Sequence, residues 1–329
     1  MNDAMREFLD SDFIHWSDMP KDDRKTIFSF GGGVDSTGML FEFDRQGYMP
    51  DILIFADTGA ERPDIYAHIE KLNKWLGDKW GKEIIIVRQP ETLEAEVLRR
   101  KTLPALAMGF HTCSQKHKIR PIAKWLKANG HKKIVKIIGY DANEFDRARR
   151  GLTSVENGKN TEEKGIDLKL WFPLIEWGKS RKQLKAEINE IGFCASKSSC
   201  FYCPAMSLTE VKQLKEFYPD LYKRAIDMES GALVEDEESY NSQVKAITEF
   251  CKDMPQNWYD YDLEEWEQMT LDNLDIDFPK YPKKSTRVGL GRSWNWKDTI
   301  EAEEAQLSLF DEDSWEDLKG VQTCGCINW

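Results

Sequence analysis

Three consecutive glycines, Gly31-Gly32-Gly33, stand between a run that reads as a β-strand (residues 26–30) and a run that reads as a helix (35–46, stopped by Gly47). A strand that turns through glycine into a helix is half of a βαβ unit, and such a unit commits a chain to parallel sheet. The alternation continues downstream. Residues 52–56, 83–87 and 134–138 are short apolar runs of strand length. Between them lie helical patterns: one starting at Pro63 and ending near Gly77, one over 91–100, and one over 119–128 that ends at Asn129-Gly130. Ser180 reads as the N-cap of a further helix reaching Ile191, with Gly192 as its stop. The expected fold class is α/β: a doubly wound parallel sheet of about five strands with a helical C-terminal extension. The expected boundary divides 1–205, which carries the glycine loop, from 206–329. In the latter, 207–269 reads as helical and aromatic-rich, few periodic elements follow Leu271, and the acidic stretch 301–317 is expected to be mobile.

The glycine loop also constrains chemistry. Glycines let the backbone turn tightly and bring N–H groups against an anion, and the helix start that follows adds its positive dipole. Ser36 and Thr37 are expected to add hydroxyl donors. The loop lacks the G-x-x-x-x-G-K pattern and the G-x-G-x-x-G spacing, so it is neither a Walker A loop nor a dinucleotide fingerprint. Asp57 and Glu61, with Asp35, are carboxylates near this anion site and candidate Mg²⁺ ligands; the alternative for Asp57 is that it caps its own loop through backbone hydrogen bonds. Arg147 is a candidate bidentate phosphate ligand. Lys116, Lys118 and Arg120 form a basic cluster in an acidic chain.

Net charge is −12, which disfavours broad binding to nucleic acid and is compatible with a local basic pocket. Twelve tryptophans and an aromatic-rich C-terminal half offer an interface to a protein partner or a second copy; the alternative is that they bury the helical extension. The longest apolar runs, such as Ile84-Ile85-Ile86-Val87, fall far short of the roughly 20 residues that span a bilayer, so no membrane partner is expected. The first residues lack a signal pattern, and the expected location is cytoplasmic. Seven cysteines is an odd number, and in a reducing compartment they are metal ligands, reactive thiols or core residues. Cys200-x-x-Cys203 suits Zn²⁺ or an iron–sulfur cluster, with Cys194 and Cys113 as candidate partners; the alternative is that the pair packs as small apolar residues. Cys251 lies in an amphipathic helix and reads as core. His68, His111, His117 and His131 show no metal spacing.

Several of these stretches share one resemblance. Ser29 to Thr37 resembles the SGG-x-DS loop of the PP-loop superfamily of adenine-nucleotide α-hydrolases and phosphoadenosine phosphosulfate (PAPS) reductases, with Gly31 in place of the usual first serine. Phe55-Ala56-Asp57-Thr58-Gly59 and Glu61 resemble the end of its second strand. Cys113-Ser114-x-x-x-Lys118-Ile119-x-Pro121 resembles C-T-x-x-x-K-I-x-P. Gly139-Tyr140-Asp141-Ala142-Asn143-Glu144-x-x-Arg147 resembles G-x-R-A-D-E-x-x-R, with Asp141 in place of the arginine and Asn143 in place of the aspartate. Pro173-Leu174 with Trp177, and Cys200-x-x-Cys203-Pro204, follow in the same order; Gly289-Leu290-Gly291-Arg292 and Trp296 resemble a late motif of phage and mobile-element members. The resemblance implies ATP or PAPS held by Ser29, Gly31, Gly32, Gly33, Asp35, Ser36, Thr37, Asp57, Thr58, Gly59, Gly139, Glu144 and Arg147. It places Lys118 at the phosphate or sulfate end, implies Mg²⁺, and leaves a 4Fe-4S cluster, Zn²⁺ or neither at the cysteines. Three activities are compatible with it: ATP α-hydrolysis with adenylation of an acceptor, reduction of PAPS with Cys324 of Cys324-Gly325-Cys326 attacking sulfur, or nucleotide binding within a larger phage or defence assembly. The intact Gly32-Gly33-x-Asp35-Ser36 favours the first, with Asp35 and Lys118 as its catalytic candidates.

Overall fold

The computed structural model describes residues 22–104, 106–107, 110–158, 161–254, 256–273, 276–291 and 294–307. These fall into two compact units: one built from the residues up to Glu96 and from Ala107 to Phe201, the other from Val97–Leu106 and the residues that follow Tyr202.

The first unit is a five-stranded sheet. Its strands are β1 (Lys25–Ser29), β2 (Ile52–Asp57), β3 (Ile84–Arg88), β4 (Lys133–Ile137) and β5 (Asp167–Trp171). Their order is β3-β2-β1-β4-β5 and every pairing is parallel. The helices are α1 (Val34–Arg45), α2 (Pro63–Trp80), α3 (Leu93–Arg100), which runs on past Glu96, α4 (Arg120–Ala128), α5 (Phe145–Glu156) and α6 (Arg181–Glu190). Alternate strand residues divide between two cores, as a sheet covered on both faces requires. Phe28, Leu53, Phe55, Val135 and Ile137 pack with Met39, Leu40 and Phe43 of α1, Ile65, Ile69 and Leu72 of α2 and Leu184 of α6. Ile27, Ile54, Ala56, Val87 and Ile134 pack on the other face with Ile122 and Leu126 of α4.

The expected α/β class and parallel sheet are present, with two differences in detail. Helix α2 does not end at Gly77. It runs one turn further, and Gly81 adopts the left-handed conformation (φ 60°) while its N–H and that of Lys82 close on the carbonyls of Gly77 and Leu76. The stop is set by which glycine can satisfy the last carbonyls. Strand β5, unassigned by the apolar pattern, alternates exposed Asp167 and Lys169 with Leu168 and Leu170, and so escaped a search for continuous apolar runs.

The second unit is helical. It contains α7 (Leu208–Phe217), α8 (Pro219–Phe250), α9 (Leu263–Asp272) and α10 (Trp296–Leu307). Ser207 with Glu210, and Asp262 with Glu265, form capping boxes that start α7 and α9. Trp266, Ile247 and Cys251 are buried together with Phe250, Phe278 and Tyr281 packed against them, so aromatic residues fill the unit's own core and Cys251 is a core residue, as expected. Over residues 301–307 helix α10 stands where a mobile stretch was expected; residues 308–317 lie outside the described residues. Glu303 and Glu304 on α10 pair with Lys212 and Lys215 on α7, and Ile300 is buried. The charge pattern hid a helix whose acidic side has a basic neighbour. Among the described residues, no helix is long and apolar enough to cross a membrane.

Candidate nucleotide site

The strand order reverses between β1 and β4, and open α/β sheets hold ligands beyond the carboxyl ends of the strands at such a point. The loop after β1 is Phe30 to Gly33; the loop after β4 contains Gly139 to Glu144. Helix α1 begins at Val34 with no side-chain cap, and its first intrahelical bond is Thr37 N–H to the Gly33 carbonyl at 2.9 Å. The N–H groups of Val34, Asp35 and Ser36 therefore have no partner in the helix, which is the arrangement that receives an anion. Gly139 faces the same place. A Cβ there would lie 3.6 Å from the Ser36 nitrogen and 3.3 Å from Met39 Cε, so glycine keeps the helix start uncovered.

The glycines of the loop differ in what they are for. Gly32 has φ +74° and rests on Ile65 and Ile69 of α2, so only glycine suits it. Gly33 lies against Ser198, whose Oγ and backbone nitrogen would be 2.9 and 3.2 Å from an added Cβ. Gly31 has room: a Cβ would meet only Ser198 Oγ and Ser36 Oγ, each at 3.7 Å. The expected hydroxyl donors are spent inside the fold. Ser36 Oγ donates to the Gly33 carbonyl (3.1 Å), and Thr37, fully buried, is hydrogen-bonded to His68 Nε2 at 2.9 Å. The anion-facing donors are therefore backbone N–H groups, because residues three and four positions into a helix start fold back on the turn or face the core. Burial and the Lys71 charge push His68 down to about 4, so the imidazole behind the loop is neutral. Ser29 Oγ, at the end of β1, is buried with no hydrogen-bond partner among the described residues.

The segment 196–201 was not foreseen in the sequence as part of this site. Ser196 Oγ donates to Asp64 (2.7 Å) and accepts from Arg62 (2.9 Å), Phe201 N–H reaches the Ala60 carbonyl (2.9 Å), and Cys200 forms a bridge with Glu61. The segment thus lies along the end of β2 and brings Ser198 to the glycine loop. The run Ser196-Lys197-Ser198-Ser199 carries no motif by which a sequence reading would have found it.

At the end of β2 the structure supports the loop-capping role for Asp57 over the magnesium role. Its Oδ1 accepts from Gly59 N–H (2.7 Å) and Tyr66 Oη (2.8 Å), and its Oδ2 pairs with Arg88 (2.8 Å). Both oxygens are committed to holding the turn. Gly59 completes it with φ +73° and Thr92 too close for any side chain. Thr58 is buried, its Oγ1 lying 3.3 Å from Cys200 Sγ. Glu61 is buried, with Oε1 3.4 Å from Lys118 Nζ and Oε2 without a hydrogen-bond partner among the described residues. Lys118 belongs to a π-helical turn (Gln115–Ile119) that feeds α4; its neighbours Lys116 and His117 both bind Glu96. Such turns recur at functional sites.

At the end of β4, Glu144 accepts from Arg147 Nη1 (2.7 Å), and Arg147 lies over the Tyr140 ring at 4.4 Å. Arg181, at the start of α6, makes a two-nitrogen bond to Asp35, with Nε 2.9 Å from Oδ1. Sequence reading missed Arg181, because its position beside Asp35 is created by the packing of α6 on α1.

The cysteines are not gathered as expected. Among the described residues, no group of three or more His, Cys, Asp or Glu side chains is arranged to hold a metal ion. Cys113 and Cys200 belong to the first unit and Cys203 to the second, and none of the three is in a disulfide; Cys194 is half-buried in the segment after α6. Burial pushes the Cys113 thiol up, against a hydrogen bond from the Ser114 backbone and the Lys118 charge. Cys324, Cys326 and Arg292 lie outside the described residues.

The sheet, its switch point and the uncapped helix agree with a sequence comparison: the family model of the phosphoadenosine phosphosulfate reductase domain matches residues 25–184. Those residues are a domain of that family. The PAPS-reductase-type domain thus spans β1 to the first turn of α6. Two uncharacterized proteins of Methanocaldococcus jannaschii are similar to the chain. MJ0066 is 24% identical over 206 residues, covering 61% of this chain and 40% of that protein. MJ0973 is 23% identical over 209 residues, covering 61% and 46%. The aligned stretch spans less than half the length of these curated relatives. Among solved structures, the U34-tRNA thiolase NcsA from Methanococcus maripaludis, determined with its 4Fe-4S cluster, is 16% identical, with 62% of this chain and 71% of that chain covered and a TM-score of 0.34.

Proposed function

We propose that the PAPS-reductase-type domain binds ATP with its phosphates at the start of α1 and transfers adenylate from it. A nucleophilic oxygen or sulfur of an acceptor attacks the α-phosphorus, the bond from that phosphorus to the bridging oxygen breaks, and pyrophosphate leaves with the electron pair. One observation carries this reading: the N–H groups of Val34, Asp35 and Ser36 are left without a side-chain cap beside an open Gly139. Fixed N–H donors stabilise the charge that grows on the leaving phosphates and need no reorganisation as it grows. Lys118 and the unpaired Glu61 oxygen at the end of β2 are the side chains best placed for the acceptor's proton. A magnesium ion would be held mainly by the phosphates, since Asp57 is saturated and Asp35 is bound to Arg181; no step is assigned to it or to a cluster.

Purified protein given magnesium and ATP labelled at the α-phosphate is expected to bind ATP and, with water as the acceptor, to form labelled AMP as pyrophosphate leaves. Gly33→Ala, which drives a Cβ into Ser198, is expected to weaken binding by about tenfold or more. Wild-type protein that does not bind ATP would overturn the reading. The second reading is reduction of PAPS, favoured by the family model that matches. Release of sulfite from PAPS and a thiol reductant, lost in Cys324→Ser, would replace the first reading with this one.

A further inference from the structure

An anion on the N–H groups of Val34, Asp35 and Ser36 would stand beside the Asp35 carboxylate, because Asp35 is the second residue of the same helix. Like charges that close repel strongly unless a cation comes between them. The structure holds one there. Arg181 binds Asp35 through Nε (2.9 and 3.1 Å to the two oxygens) and Nη2. Its backbone N–H donates to Asp141 Oδ2 at 3.2 Å, and its Nη2 lies 3.9 Å from Glu144 Oε2. Nη1 makes no bond among the described residues, and the side chain is 52% exposed, so one edge of the guanidinium faces outward beside the helix start.

The other cations of the strand ends are engaged elsewhere. Arg147 is held by Glu144 and Tyr140, Arg62 by Asp64, Ser196 and the Lys197 carbonyl, Arg88 by Asp57, and Lys118 by Glu61. Position 141 adds a second argument. The motif that the loop after β4 resembles carries arginine there, whereas this chain carries an aspartate whose carboxylate fixes the backbone of Arg181. The positive charge is present at the site, delivered from α6 and anchored by the residue that stands in the arginine's place.

We propose that Arg181 is the guanidinium that meets the phosphate chain at the glycine loop, held there by its backbone bond to Asp141, with its charge offsetting that of Asp35. The ligand class is a di- or polyphosphate, whose oxygens match the planar donor edge. This rests on the reading of the loop as an anion site, and not on adenylate transfer.

The test is calorimetric titration of the full chain with inorganic pyrophosphate in the absence of magnesium. Arg181→Gln is expected to weaken binding by about tenfold or more, and Arg181→Lys by a smaller factor, since it keeps the charge and loses the fork. Asp35→Asn is expected to bind as wild type or tighter, because it removes a carboxylate beside the anion and leaves Arg181 in place. Arg181→Gln within about twofold of wild type, or Asp35→Asn losing as much as Arg181→Gln, would overturn the proposal. If Arg181→Gln does not fold, the pair Arg181→Lys and Asp35→Asn decides by the same ordering. Pyrophosphate binding that depends on Arg181 in a protein without ATP binding would sustain this inference while removing adenylate transfer; wild-type protein blind to pyrophosphate would remove the inference itself.

Discussion

Helices α1 and α10 each begin just after a glycine-containing stretch, and their first N–H groups meet opposite fates. At α1, in the first unit, no side chain caps the helix and the glycines leave the start open. At α10, in the second, the buried Glu229 fills the equivalent place. Its Oε1 accepts from Leu290 N–H (2.6 Å) and Trp296 N–H (2.9 Å), and its Oε2 from Lys297 N–H (3.1 Å). Gly289 is required there because a Cβ would lie 2.4 Å from Glu229 Oε1. One helix start is satisfied by the protein's own carboxylate and is therefore architecture; the other is left without a side-chain acceptor, which is what the proposed phosphate site requires. The stretch Gly289-Leu290-Gly291 with Trp296, which resembles a late motif of phage and mobile-element members, packs around this internal cap.

The comparison breaks most visibly at Glu229. Glu229→Ala leaves three N–H groups without their acceptor, two of them deep in the unit, and is expected to cost about 3–5 kcal/mol, read as a shift of the urea midpoint. Unchanged stability would mean that water replaces the carboxylate.

A smaller effect separates the two glycine stretches themselves. Gly291→Ser drives a Cβ to 2.5 Å from Trp294 Nε1 and is expected to cost about 2 kcal/mol. Gly31→Ser, which restores the serine usual in PP-loop domains, meets nothing nearer than 3.7 Å and is expected to change stability by less than about 0.5 kcal/mol. Thermal melts of the two variants side by side test the contrast.

The support behind the α1 loop is a neutral histidine, which gives it a pH dependence. His68 titrates near 4 in the folded chain and near 6.5 unfolded, so between those values the unfolded chain binds the extra proton. The stability that comes from keeping His68 neutral is present above pH 6.5 and is lost as pH falls toward 4. Between pH 7 and 5 the loss is expected to be about 2 kcal/mol. His68→Gln should flatten that limb of the curve by the same amount; an unaltered limb would assign the acid sensitivity to carboxylates.

Strands, helix starts and the glycine loop were legible in the sequence because each depends on near neighbours. The apolar runs of β1 to β4 are local, Pro63 and the Ser180–Gln183 box announce their helices, and Gly31-Gly32-Gly33 announces a turn that brings N–H groups to an anion. Even Gly81 against Gly77 was a choice between two local stops. The occupants of the site were not legible. Arg181 reaches Asp35 across 146 positions of chain, Ser198 reaches Gly33 only because its segment pairs along β2, and Glu229 caps a helix that begins 67 residues later. The sequence by itself determined the parallel α/β framework and the glycine turn that leaves the start of α1 uncapped, since backbone conformation follows from local residue chemistry. Only the tertiary structure decided which charges surround that place, because a salt bridge or a cap depends on where distant side chains are carried and carries no periodic signal along the chain.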